Sequence, residues 1–269
     1  MVETTDKVFA GSIPEIYDRF MVPLIFEPYA VDLAERVAAL APNDVLETAA
    51  GTGVLTRALG ERLPASTHVV ATDLNQAMLD QAAKRQPTRA VEWKQADALG
   101  LPFADRSFDA VACQFGAMFF PDKVQGYREA RRVLRPGGRF LFNVWDKIAD
   151  NEFADVVTQT LAEMFPADPP RFMARTPHGH HDVERIRRDL AAAGFSDVSI
   201  DAVDARSRAP SARHVAIAYC QGTPLRNEIE ARGATRLEEA TDRAAAAVAQ
   251  RFGTAAVDGR IRAIVISAS

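Results

Sequence analysis

Three acidic side chains stand where an alternating strand–helix chain gathers ligand-binding groups. Glu47 closes the apolar run Val45-Leu46, Asp73 closes a β-branched run over 67–72, and Asp97 follows a run over 91–96. The turn after Glu47 reads Thr48-Ala49-Ala50-Gly51-Thr52-Gly53. Glycines in such a turn let the backbone approach a ligand closely and take conformations closed to other residues. Asp73 lies twenty residues beyond Gly53, at the spacing where a carboxylate can accept hydrogen bonds from both hydroxyls of a ribose. Ligands of open α/β sheets bind in the crevice at the carboxyl ends of the strands, which these three acids would line.

These groups need a scaffold, and the hydrophobic pattern supplies one. It predicts strands over 45–47, 67–72, 91–96, 108–114 and 139–145. Helices over 53–63, 75–85 and 123–134 alternate with them, stopped by Pro64, by Pro87 and by Arg135-Pro136-Gly137-Gly138, with Asn75 as an N-cap. Such alternation implies parallel strands joined by right-handed crossovers. Amphipathic helices are expected before it, over 14–26 and 29–40. After it come helices over 151–165 and 183–194, a strand over 197–206, Ala-rich helices within about 211–252 and a strand over 260–267. The expected organisation is one domain, 1–269. It has an N-terminal helical lid (1–40), a cofactor-binding core (41–150), and a segment completing the sheet around a helical insertion (151–269).

Charge narrows the cofactor. A pyrophosphate prefers helix N-terminal N–H groups with no carboxylate beside them. Here Glu47 ends the strand, and Gly51-Thr52-Gly53-Val54-Leu55-Thr56 lacks the third glycine of G-x-G-x-x-G. S-adenosylmethionine carries a sulfonium, an ammonium, a ribose and no phosphate, and suits an acidic crevice. An NAD(P)-dependent oxidoreductase and a non-catalytic S-adenosylmethionine-binding protein stand as the alternatives.

The chain resembles the class I S-adenosylmethionine-dependent methyltransferases. Within them it is similar to the small-molecule group of methyltransferase type 11 that includes the ubiquinone/menaquinone C-methyltransferases. Five segments in order carry the resemblance: 47–53, 70–79, 95–103, 107–114 and 129–138. It implies a Rossmann-like, doubly wound seven-stranded sheet with its last strand reversed. It also implies that Glu47 and the backbone of Ala49, Gly51 and Gly53 hold the methionine moiety. Asp73 would take the ribose, Leu74 and Met78 would pack on the adenine, and Asp97 with Ala98 would read its amino edge. Gln114 would lie near the sulfonium and Tyr17 in a segment closing over the cofactor. Ala49 departs from the family, which usually has glycine there; the extra methyl is expected to alter the backbone slightly and leave the site intact.

The acceptor side is less defined. Phe20, Phe115, Met118 and Phe119 are candidates for an apolar substrate pocket, and His178, His180 and His181 are candidates for a general base or a substrate ligand. A metal site is not expected, because the histidines have no acidic or cysteine partner at ligand spacing. A net charge of −4 gives no basic field for nucleic acid, and no run of residues is long and apolar enough to span a bilayer. Two cysteines, Cys113 and Cys220, make no disulfide framework, and the first residues lack an apolar signal core. A cytoplasmic enzyme, monomer or homodimer, acting on a small apolar or aromatic methyl acceptor is the resulting expectation.

Overall fold

The computed structural model describes residues 4–85, 90–233 and 235–269. The strands are β1 (Asp44–Glu47), β2 (His68–Asp73), β3 (Glu92–Gln95), β4 (Phe108–Gln114), β5 (Leu134–Trp145), β6 (Val198–Ala209) and β7 (Val257–Ala268). They form one sheet in the order β3-β2-β1-β4-β5-β7-β6, with β7 reversed, the arrangement expected from the sequence. β1 pairs in parallel with β2 on one side and β4 on the other, and β4 pairs in parallel with β5. The central strands are near-continuous apolar runs because helices cover both faces.

The chain divides into two compact units. One comprises Glu27–Val144, His180–Val203 and Ala263–Ser269; the other comprises Met1–Phe26, Trp145–Gly179 and Asp204–Arg262. In the first, one core joins Leu33, Ala34 and Val37 of the helix Glu27–Ala38 to Leu55 and Leu59 of the helix Val54–Arg62. Val45, Val69, Ala110, Ala112 and Leu141 of the sheet complete it. A second core holds Tyr127 of the helix Lys123–Val133 against Phe142 at 5.2 Å, with Phe140 stacked on Phe142 at 4.7 Å. In the second unit, the helices Ala212–Gln221, Leu225–Ala231 and Arg236–Phe252 are the expected insertion between β6 and β7. Gly222 there brings the chain against the N-terminal helical segment, since a Cβ on it would lie 3.2 Å from Ile16 Cγ2.

Three local expectations change. The segment Tyr17–Phe26 winds as a π-helix around Pro23, which has no N–H to give an α-helical ladder. Asn75 occupies the N-cap of the helix Gln76–Lys84 without capping it, because its side chain turns to the Asp73 carboxylate. The Pro-Gly-Gly stop is absorbed into a strand. β5 already begins at Leu134, opposite Phe108, and pairing resumes at Arg139 opposite Ala110, so 135–138 bulge out with Gly137 at φ 82°. Pro87 lies outside the described residues.

The substitution at Ala49 is accommodated in the loop it belongs to. Ala49 sits at φ 54°, a left-handed conformation that costs an alanine about 1–2 kcal/mol. Its methyl occupies the space beside Gly116, where a Cβ would lie 2.4 Å from Ala49 Cβ and 2.8 Å from Cys113 Sγ. Ala49 therefore requires glycine at 116. Gly116→Ala is expected to destabilise the protein by about 1–3 kcal/mol in denaturant titrations, the range for overpacking a core. In an Ala49→Gly background the loss should shrink by at least about 0.5 kcal/mol, the signature of contact coupling. Equal losses in both backgrounds would show that the two residues do not constrain each other.

Candidate functional site

The site is built at the carboxyl ends of β2, β1 and β4. Thr48 N–H donates to Ala112 O at 2.9 Å, Ala50 N–H to Thr72 O at 2.9 Å, and Thr72 Oγ1 to Glu47 O at 3.0 Å. These bonds stitch the turn after β1 to both neighbouring strands. Gly51 and Gly53 take φ 57° and 77°, and the helix Val54–Arg62 starts immediately after them.

Glu47, the last residue of β1, is 1% exposed, and its Oε2 accepts a hydrogen bond from Thr56 Oγ1 at 2.6 Å. Burial pushes its carboxyl up to about 8, against the opposing pull of the Thr56 hydrogen bond and the Arg57 charge. Thr56 stands where a dinucleotide fingerprint would carry its third glycine, so the departure from that motif supplies the acid's partner. Asp73 ends β2. Its Oδ2 accepts from Gly51 N at 2.8 Å and its Oδ1 from Asn75 N at 2.8 Å, while burial raises its affinity for a proton. The Asn75 side chain and the Leu74 backbone bond the same carboxylate, so its oxygens are largely engaged within the turn.

Around this pair stand the other expected cofactor residues. Leu74 is 43% exposed directly after Asp73, and Met78 is buried one helical turn further on. Asp97 lies exposed beyond β3, with Oδ1 accepting from Leu99 N at 2.9 Å, and Ala98 is half-buried beside it. Gln114 is the buried last residue of β4, in register with Asn143 of β5. Phe115 follows at φ 50°, with its ring edge-on to Tyr29 at 5.5 Å. Met118 is buried and Phe119 half-buried in a short turn that Lys123 Nζ holds, through Met118 O at 2.9 Å and Phe120 O at 2.7 Å.

Three further candidates belong to the other unit. Tyr17 packs its ring against Phe9 at 5.9 Å and Phe26 at 5.2 Å, and Phe20 packs on His214 at 4.6 Å. His178 is buried, with Nδ1 at 2.8 Å from Asp146 O. His180 belongs to the unit of the site but is committed elsewhere. It is buried with Nε2 at 2.9 Å from Tyr127 OH, and burial, with the charges of Lys123 and Arg185, pushes it down to about 3. It is a neutral ring bonding to the aromatic core, and His181 follows it half-buried at the surface. Sequence reasoning missed Thr56, Gly116 and Asn143. Asn143 alone left a signal, as the one amide in the apolar run Phe140-Leu141-Phe142-Asn143-Val144-Trp145. Among the described residues no cluster of His, Cys, Asp and Glu could hold a metal, and no helix is long and apolar enough to cross a membrane.

Residues 46–142, which contain these strand ends, match the family described as a methyltransferase domain. A demethylmenaquinone methyltransferase of Deinococcus radiodurans is 32% identical over 206 residues, covering 72% of this chain and 85% of that protein. The crystal structure of the Bacillus subtilis YcgJ protein superposes with a TM-score of 0.56 at 21% identity, covering 90% of this chain and 97% of that one. A Haemonchus contortus phosphoethanolamine N-methyltransferase, solved with phosphomonomethylethanolamine and S-adenosylhomocysteine, has the same fold. It superposes with a TM-score of 0.62 at 16% identity, covering all of this chain (100%) and 60% of that one. With the acidic strand ends, the reversed last strand and a relative aligned over most of its length, the chain belongs to the S-adenosylmethionine-dependent methyltransferases.

Proposed function

We propose that the crevice over β1 and β2 binds S-adenosylmethionine, and that the acceptor is a hydroxylated aromatic small molecule of the quinol type. The observation that carries the cofactor reading is the buried carboxyl of Glu47 beneath the glycine turn. A pyrophosphate at this helix N-terminus would meet that acid at close range, whereas an ammonium or sulfonium is favoured by it. The rest of the donor set fits. On Asp73, ribose hydroxyls would take the place of the Asn75 side chain at the carboxylate. Thr52 Oγ1 is buried in the turn with no hydrogen-bond partner among the described residues, so a ligand's polar group has a donor and acceptor waiting. Leu74 presents apolar surface beside Asp73 for a flat base.

When bound, S-adenosylmethionine supplies a methyl group on a positively charged sulfur, whose C–S bond breaks with its electron pair going to sulfur as the acceptor's pair forms the new bond. The protein's own task is alignment and exclusion of water. The turn from Phe115 to Phe120, fixed by Lys123 and by the glycine at 126, offers an apolar wall at the end of β4 for an aromatic acceptor. The quinol type follows from the Deinococcus relative, whose name gives demethylmenaquinone as its substrate. Incubation with S-adenosylmethionine and a reduced 2-prenyl-1,4-naphthoquinone is expected to release S-adenosylhomocysteine and a product one methylene heavier. Tight nicotinamide dinucleotide binding without binding of S-adenosylmethionine would sink the reading.

Two further outcomes follow from the acids. Asp73→Ala is expected to weaken S-adenosylhomocysteine binding at least tenfold in calorimetry, through loss of the ribose contact and of the Gly51 anchor. Unchanged affinity would remove Asp73 from the site. Glu47 makes stability and binding depend on pH in opposite directions. Its folded value of about 8 lies above the ordinary 4.5, so between these values the folded state holds one proton more than the unfolded state. Stability therefore falls as pH rises through this window and levels off above about 8. A cationic ligand favours the ionised carboxylate, so its affinity should rise with pH in the same interval, by at most about tenfold per unit. Glu47→Gln should flatten both profiles, read as melting temperature and dissociation constant between pH 5.5 and 8.5. Profiles that survive the substitution would assign the titration to another group.

A further inference from the structure

Asn143 is the one polar residue in the apolar end of β5, and it is fully buried. Its side-chain Oδ1 accepts the Phe115 N–H at 2.9 Å, and its main-chain oxygen accepts the same N–H at 3.2 Å. The first bond orients the amide, because only the oxygen end can accept from a backbone N–H. Nδ2 is therefore the opposite end, and it has no hydrogen-bond partner among the described residues. A buried donor left unpaired weakens the fold, whereas an apolar residue of the same size would not. Phe115 N–H does not need the side chain either, since the main-chain oxygen of residue 143 already accepts from it. The Phe115 contact accounts for the oxygen end of the amide and leaves the Nδ2 end without a partner among the described residues.

Asn143 is paired in register with Gln114, the last residue of β4, and β4 in turn pairs Ala112 with Glu47 of β1. The amide thus stands at the carboxyl end of the sheet, on the side of β4 away from β2 and Asp73. Through Phe115 it is also tied to the start of the apolar turn. We propose that Asn143 Nδ2 donates a hydrogen bond to an oxygen of the methyl acceptor, a ring carbonyl or an ionised ring hydroxyl. This rests on the methyltransferase reading above and deepens it to an acceptor that must carry such an oxygen. A donor aimed at an ionised hydroxyl favours the charged form, so the hydroxyl proton passes to solvent more readily and no side-chain base is required. The electron pair left behind, on oxygen or delocalised to the adjacent ring carbon, forms the bond to the methyl group. If carbon is the nucleophile, its ring proton then leaves to water.

The test uses the protein saturated with S-adenosylhomocysteine and, under anaerobic conditions, 1,4-dihydroxynaphthalene as the probe. Wild type is expected to bind the diol, and Asn143→Leu to bind it at least tenfold more weakly, with S-adenosylhomocysteine affinity held within twofold. The bound diol should also ionise at lower pH in wild type than in the variant, by its ultraviolet spectrum, a readout that a packing role would not move. Asn143→Asp retains an oxygen for Phe115 N–H and replaces the donor by an acceptor; it should lose diol binding as well, which keeps the test open should the leucine variant not fold. Equal diol affinity in wild type and variants, no diol binding by wild type, or a parallel loss of S-adenosylhomocysteine affinity in the variants would each overturn the contact. Failure of wild type to bind S-adenosylhomocysteine at all would instead overturn the methyltransferase reading on which the contact rests.

Discussion

A carboxyl group buried at the end of β1, an inner strand of the sheet, is the constraint around which the site is organised. Glu47 cannot be both ionised and dry without a partner, because desolvation disfavours its charge. Burial holds it protonated against the pull of the Thr56 hydroxyl and the Arg57 charge, and a further cation would tip it to the ionised state. Both states require the turn after β1 to keep its shape, and the neighbouring strands hold that turn. Thr72 bonds the carbonyl of Glu47, Ala112 takes the N–H of Thr48, and Asp73 takes the N–H of Gly51. Asp73 thus anchors the turn from two sides, through Gly51 and through Asn75. The charge of Asp73 also bears on Glu47, raising its affinity for a proton.

The same turn shows how a methyl is housed where the resemblance implies glycine. A methyl at residue 49 needs space and tolerance of a left-handed backbone, and the space comes from Gly116 on the neighbouring strand's exit. Phe115, just before it, is itself left-handed. Two left-handed residues thus stand where β1 and β4 end, Ala49 packed against Gly116 and Phe115 against Tyr29. Strain of this kind persists where surroundings over-determine it, and functional sites are where it collects.

The sequence made the cofactor side of the molecule legible because that side is local. Glu47, the glycines and Asp73 lie within 27 residues of one another, and strand ends can be read from hydrophobic runs. Helix limits such as Val54–Arg62 fall within a residue or two of expectation for the same reason. What escaped depends on partners distant in sequence. Gly116 matters only beside Ala49, and Asn143 only beside Phe115; neither pairing is encoded in a motif. The proline-glycine-glycine run was read as a helix stop, yet in the fold it is a bulge, because Leu134 finds Phe108 before the run begins. The histidines draw the eye in the other direction. Their clustering on a loop invites chemistry, while Tyr127 shows His180 to be part of a core.

Methyl transfer explains why the two sides differ in legibility. The cofactor brings fixed groups, a ribose, a base and cationic centres, so residues that meet it recur as types at set spacings. An acceptor varies, and what it needs from the protein is an aligned nucleophile with a suitable state of ionisation. That can be supplied by one well-placed donor as readily as by a base. A donor of this sort has no motif, but it leaves a thermodynamic trace: a polar group kept in a dry place where the fold alone would be better served by an apolar one. Among the neighbours of Gln114, Asn143 bears that trace, and its burial beside the end of β4 is what separates it from the many surface amides that mean nothing.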